Sequence, residues 1–142
     1  MRKHVPVCAC LLCALQLAAC AAPEKREQLH FLVALTGDQE TPPTGSLGTG
    51  TADLTLDRAS NEFDWRITYS GLSEPVTAVH FHSPEKRGSN AEINIRENLK
   101  SPVTGSATLT DEQERELLAG RWFVNIHTAA CPDGEVLGHI QP

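Results

Sequence analysis

Beyond residue 20 the 142-residue chain has a single cysteine, Cys131. No disulfide can close within that region, so any fold there is held by packing and hydrogen bonding alone. Basic residues are also few, twelve against eighteen acidic ones, giving a formal charge of −6. This balance argues against nucleic acid as a partner and against recruitment by anionic lipid headgroups. No glycine-rich phosphate loop, strand–helix alternation or heptad occurs, which makes the common nucleotide-binding folds a poor expectation. Ser70 in "YSGL" lacks the G-x-S-x-G elbow, and no cysteine–histidine pair emerges. Glu112, Glu114 and Glu116 read as solvated helix carboxylates. Hydrolase chemistry has no visible machinery, and no catalytic residue is assigned.

The one pronounced apolar run is N-terminal and too short to span a bilayer comfortably. Met1 to His4 form a basic start, "VPVCACLLCALQLA" is apolar, and "LAAC" ends at Cys20. This is the layout of a secretory signal. Leu17 to Cys20 resemble the lipobox of bacterial lipoproteins, which implies cleavage before Cys20, diacylation of its sulfur and acylation of its new amino group. On that reading residues 1–19 are the signal peptide, 20–28 a lipidated tether, and 29–142 the domain. Two or three acyl chains anchor stably where one is marginal. Cleavage leaves 123 residues, enough for one domain with a modest core. Arg2 and Lys3 depart with the signal, so the mature formal charge is about −8. Ala21 stands where an aspartate would resemble an inner-membrane retention signal, so the expected location is the cell envelope, at the outer membrane. Cys131, in the turn-like "TAACPDGE", reads as a lone thiol, with an intermolecular bridge or a soft metal ligand as alternatives.

The domain reads as short strands broken by glycine and proline turns. "LHFLVALT" (29–36) is nearly continuous in apolar character, and "GDQETPPTGSLG" (37–48) is a long loop. "TGTADLTL" (49–56) follows. "EFDWRITYS" (62–70) alternates, with Phe63, Trp65, Ile67 and Tyr69 on one face, as a half-buried antiparallel strand should. "VTAVHFH" (76–82), "AEINIREN" (91–98), "TGSATLT" (104–110), "RWFVNIHT" (121–128) and "EVLGHIQ" (135–141) complete the series. One short helix starts at Thr110, where Gln113 completes a capping box, and stops at Gly120. Seven to eight strands of this kind predict an all-β, antiparallel, Greek-key-like sandwich or flattened barrel.

Two histidines stand two residues apart in "VTAVHFH". Residues i and i+2 of a strand share a face about 6.5 Å apart. With Val79 and Phe81 claimed by the core, His80 and His82 belong to the outer face or a rim. In "RWFVNIHT", Asn125 and His127 share the face opposite Trp122, Val124 and Ile126. If the two strands are neighbours, three imidazoles converge, a donor set that suits copper or zinc better than calcium or magnesium. His139 is a less favoured fourth, and His30 has no assigned neighbour.

The pieces "FLVALTGDQETPP", "GTGTADLTL", "YSGLSEPVTAVHFHSP", "TGSATLT", "LLAGRWFVNIHT" and "GEVLGHI", in this order, resemble a CHRD domain, the module first described in chordin. The resemblance spans residues 29 to 141, and its recurrent positions match His80, His82, Asn125, His127, Gly134, Glu135 and Gly138. His139 departs from the pattern, where glutamine is more usual. The CHRD resemblance implies a binding module, lipid-anchored if the lipobox is used, that contacts an envelope protein or surface polymer through its loops, above all residues 37–48. More distantly, "SGLSEPVTAVHFH" and "GRWFVNIHT" are similar to the copper-ligating strands of copper-zinc superoxide dismutases, which would map three copper ligands onto His80, His82 and His127. The loop after His82 has no histidine for a bridging imidazolate or a zinc subsite, the dismutase disulfide cannot exist, and no arginine matches.

Three readings of the histidines stay open. They form a hydrogen-bond network with Asn125 in which Glu135 or Asp64 is the partner. They hold one metal ion, copper first and zinc second, in a copper-binding or copper-buffering protein. Or they serve a dismutase-like oxidoreductase, which demands a tuned redox cycle as well as affinity.

Overall fold

The computed structural model describes residues 27–86 and 90–142. The expected signal peptide, Cys20 and nearly all of the tether lie outside them. Eight antiparallel strands form one nearly closed, barrel-like sheet: β1 (Gln28–Thr36), β2 (Thr49–Asp57), β3 (Glu62–Ser70), β4 (Val76–His82), β5 (Ile93–Ile95), β6 (Val103–Thr108), β7 (Phe123–Thr128) and β8 (Val136–His139). Their order is β5-β4-β7-β8-β1-β2-β3-β6. Consecutive strands pair along β1-β2-β3, whereas the histidine strand β4 is joined to β7 across long connections. The all-β fold is as expected from sequence.

Alternation explains which side chains face inward. Phe31, Leu54 and Trp65 stand in one row across β1, β2 and β3, and Val33, Ala52 and Ile67 in the next, all of them buried. β1 alternates more strictly than its continuous apolar composition implied, for Leu32 is 78% exposed. Phe63 meets Phe81 edge-on at 5.3 Å and Trp122 at 6.0 Å, tying β3 to the β4–β7 side of the core. Gly105 on β6 lies opposite Trp65, where a Cβ would come within 2.6 Å of the indole. Only glycine leaves space for that ring.

Several strands end earlier than the sequence patterning implies. "AEINIREN" shrinks to Ile93–Ile95, and Asn98 then takes a left-handed turn (φ 52°) on the way to β6. Strand β6 stops at Thr108 because Leu109 N–H bonds the Asn61 carbonyl and Thr110 caps the helix. Helix α1 (Asp111–Leu118) has the expected capping box: Thr110 Oγ1 accepts from Gln113 N–H, and Gln113 Oε1 from Thr110 N–H. Gly120, at φ +69°, ends it.

Candidate metal centre

Strands β4 and β7 pair with Ala78 opposite His127, His80 opposite Asn125, and His82 opposite Phe123. Cross-strand register therefore supplies the neighbourhood on which the third imidazole depended. Val79, Phe81, Val124 and Ile126 are fully buried in the core, as alternation requires. The opposite face, expected to be the outer face or a rim, is covered. His80, His82, Asn125 and His127 are only 4%, 1%, 4% and 6% exposed. Gln39, Glu40 and Thr41 from the loop after β1, together with Pro132 and Asp133, wall a cavity of about 400 Å³ over that face.

Candidate ligand atoms of His80, His82 and His127 all lie within 4.8 Å of one another. Three points so spaced fit within about 2.8 Å of a common centre, so small ring movements reach the roughly 2.0 Å of a metal–imidazole bond. The rings of His80 and His127 are 4.3 Å apart, and those of His80 and His82 5.3 Å. His139 is exposed, lines the same cavity and faces the Phe123 ring at 5.9 Å, but is not part of the group. Cys131 is also outside it. His30 lies on β1 beside Thr55 Oγ1, at 3.2 Å.

Each imidazole has at least one ring nitrogen on an oxygen. His80 Nε2 meets Asn94 Oδ1 at 3.0 Å, His82 Nδ1 the Lys86 carbonyl at 2.8 Å, and His127 Nδ1 the Pro132 carbonyl at 2.9 Å. A carbonyl oxygen only accepts, so these contacts put the ring protons on the anchored nitrogens. The lone pair of His80 then falls on Nδ1, and that of His127 on Nε2 when its proton stays with the Pro132 carbonyl. Metal-binding histidines are oriented in this way by outer partners.

A closed hydrogen-bond network does not account for the group. His80 Nδ1 is buried and has no hydrogen-bond partner. His127 Nε2 faces Asn125 Oδ1 at 3.0 Å while its other nitrogen already faces a carbonyl. A neutral ring carries one proton and cannot donate to both oxygens. Asn125 is oriented by its amide nitrogen, which meets the Asp133 carbonyl at 3.5 Å and lies beside the Glu40 carboxyl. Charging His80 and His127 is disfavoured. Burial, then His127 and His82, push His80 down to about 4, and burial also lowers His127, against the Pro132 carbonyl. Clustered imidazoles that resist protonation, as His80 and His127 do, are what a soft or borderline cation needs.

Neither carboxylate expected to partner the histidines does so. Asp64 is on the exposed face of β3, opposite Thr55 and Ser106. Glu135, fully buried, accepts from Ser46 Oγ, Ser73 N–H, Ser73 Oγ and Thr128 Oγ1, all at 2.7–2.8 Å. Thr128 follows His127 and so points to the other face of β7. The Glu135 carboxylate belongs to that face. Burial acts to raise its pKa, but the hydrogen bonds from Thr128, Ser46 and Ser73 outweigh it and hold the group below the usual carboxylate range.

Glu40, Asn94 and Arg96 were not singled out from sequence. Asn94 and Arg96 carried a signal, for they alternate with Ile93 and Ile95, which pack partly against the core. Glu40 had none, since only the folded loop brings it beside Gly134. That glycine has φ +127°, and a Cβ there would collide with the Glu40 carboxyl and the Asn125 amide. Burial drives Glu40 up to about 7; the Asn125 side chain opposes the rise and Asp133 adds to it.

A carboxyl whose pKa is raised on folding binds more protons in the folded state, so its stabilising contribution is lost as pH rises from about 4.5 through about 7. Glu40→Gln is therefore expected to raise the melting temperature at pH 8 and leave it nearly unchanged at pH 5. Thermal melts at the two pH values check this; equal effects at both would show that ionisation of Glu40 is not resisted.

A family model for the CHRD domain matches residues 31–140. No curated protein and no solved structure matches the chain. The matched segment runs from the middle of β1 to just beyond β8 and contains all three clustered histidines, so this chain belongs to the CHRD domain family.

Proposed function

We propose that this CHRD domain is a metal-binding module of the cell envelope that takes one copper ion, with zinc as its nearest competitor, through His80 Nδ1, His82 Nε2 and His127 Nε2. The observation that carries this reading is the buried Nδ1 of His80, left without a hydrogen-bond partner inside a group of three imidazoles whose candidate ligand atoms lie within 4.8 Å of one another. An unsatisfied buried nitrogen costs about 1–3 kcal/mol, which a bound ion would recover. The neutral nitrogen donors favour copper and zinc over hard cations, and of the two copper stands higher in affinity for nitrogen sites.

Titration of the full chain with Cu(I), Cu(II) and Zn(II), followed by calorimetry, tests the reading. One ion per chain is expected, with copper tighter than zinc. Binding only in excess of one ion, or at millimolar concentrations, would sink it. The same copper-loaded chain tests the dismutase-like reading, which fails if superoxide decays no faster than with equivalent free copper.

The lipobox-like Leu17 to Cys20 supports placement on a membrane through lipid on Cys20, at the outer membrane facing periplasm or surface. A radiolabelled palmitate incorporation assay that still labels a Cys20→Ala chain would refute it. For contact with an envelope protein or surface polymer through the loop between β1 and β2, Leu47, 95% exposed, is the large apolar side chain open to a partner. Deleting that loop is a poor test, because Thr44 and Ser46 bond Glu135 and Glu40 walls the cavity. Leu47→Asp is the cleaner probe, and unchanged co-purification from envelope extracts would count against this contact.

A further inference from the structure

The cavity above the histidines is far larger than an ion needs. About 400 Å³ compares with roughly 30 Å³ for one water molecule in the liquid, so there is room for a small organic ligand. Three protein ligands leave a further position on a tetrahedral ion, as in sites where an exogenous molecule binds the metal. With the anchored ring nitrogens held by Asn94, Lys86 and Pro132, a ligand for that position would enter from the cavity that the three rings line.

Charge selects the kind of ligand. Three neutral imidazoles do not compensate a divalent ion, and Arg96 on the cavity wall adds a positive charge that acts on both His80 and His127. Arg96 makes no ion pair among the described residues. Of the two lining carboxyls, Asp133 can offset one charge, while burial resists the ionisation of Glu40. A guanidinium without a carboxylate partner, beside a cation with an open position, favours an anion that can use both. Its planar fork matches a carboxylate. Phe123 and Leu137 supply an apolar wall for a short hydrocarbon body.

We infer that the metal-loaded site binds a small carboxylate anion, one oxygen of which takes the open coordination position while the anion pairs with Arg96. The inference rests on the metal-binding reading above and deepens it: the domain takes its metal together with a carboxylate ligand. No bond of the carboxylate breaks and no electron moves; it replaces coordinated water.

The test uses the full chain loaded with one equivalent of Cu(II) in a non-coordinating buffer, titrated with acetate and with the neutral isostere acetamide. Acetate is expected to shift the copper visible and EPR spectra saturably, and acetamide to leave them unchanged. In Arg96→Gln, acetate should bind about tenfold more weakly or worse, the scale of one lost charge-assisted hydrogen bond. Copper affinity of that variant should stay level or rise, because a like charge has been removed. Equal acetate binding by Arg96→Gln, or equal effects of acetate and acetamide, overturns the inference. So does a copper affinity that falls as much as acetate affinity, which would reduce Arg96 to a structural support. If copper binds and acetate leaves its spectra unchanged, this inference fails alone; if copper does not bind, the metal reading fails with it.

Discussion

Replacing His80 and His82 together with alanine is expected to weaken copper binding by more than about a hundredfold, beyond the range for losing an outer-shell partner of a metal ligand. Both supply candidate ligand atoms of the three-histidine group, and His127 alone cannot chelate. The fold should survive. Their side chains point away from the Val79 and Phe81 core, and alanine at position 80 removes a buried nitrogen that has no hydrogen-bond partner. The ion-free variant should therefore melt within a few degrees of the parent. A structural network predicts the reverse pattern, with copper affinity kept and the melting temperature sharply lowered. Calorimetric titration beside thermal denaturation separates the two. The acid limb adds a check. His80 is held down at about 4, so the unfolded chain binds its proton first and stability falls as pH drops from about 6.5 towards 4. That part of the pH dependence should disappear in the double variant.

Glu135→Ala should be the more damaging change to the fold, with a loss of about 3 kcal/mol or more, because buried hydroxyl and amide donors lose a charged acceptor. Four hydrogen bonds converge on this carboxylate from the loop before β2, the turn before β4 and the end of β7. One side chain thus fastens three connections at one end of the barrel. For a domain of this size the melting temperature should fall by roughly 10 °C. Glu135→Gln keeps the shape but gives up the charge and one acceptor, and should fall between the alanine variant and the parent. Denaturant unfolding of both variants measures this, and a loss under about 1 kcal/mol for Glu135→Ala would show that water replaces the carboxylate at little cost. Since the folded pKa is depressed, the contribution is present above the unfolded carboxylate range and lost as pH falls through the folded value.

The alternation of Phe63, Trp65 and Ile67, the capping box at Thr110 and the His80/His82 pair could be read directly from the chain, because strand period, helix caps and side-chain face are local properties. Pattern also placed His127 and Asn125 on the face opposite Val124 and Ile126. The burial of that face could not be read in the same way. His80 and His82 look like outer-face residues of a half-buried strand until loops about forty to fifty residues away in sequence cover them. The same limit misassigned Glu135, whose partners Ser46 and Ser73 lie 89 and 62 residues earlier.

The sequence by itself determined the all-β class, the core faces of the strands and the identity of three candidate ligands, since each follows from a repeat of two residues. Tertiary structure alone decided that β4 lies beside β7, that the three imidazoles are buried together, and that Glu40 and Arg96 share their cavity. Those outcomes depend on strand order and loop closure, which bring distant residues together through register and packing and leave no periodic trace along the chain.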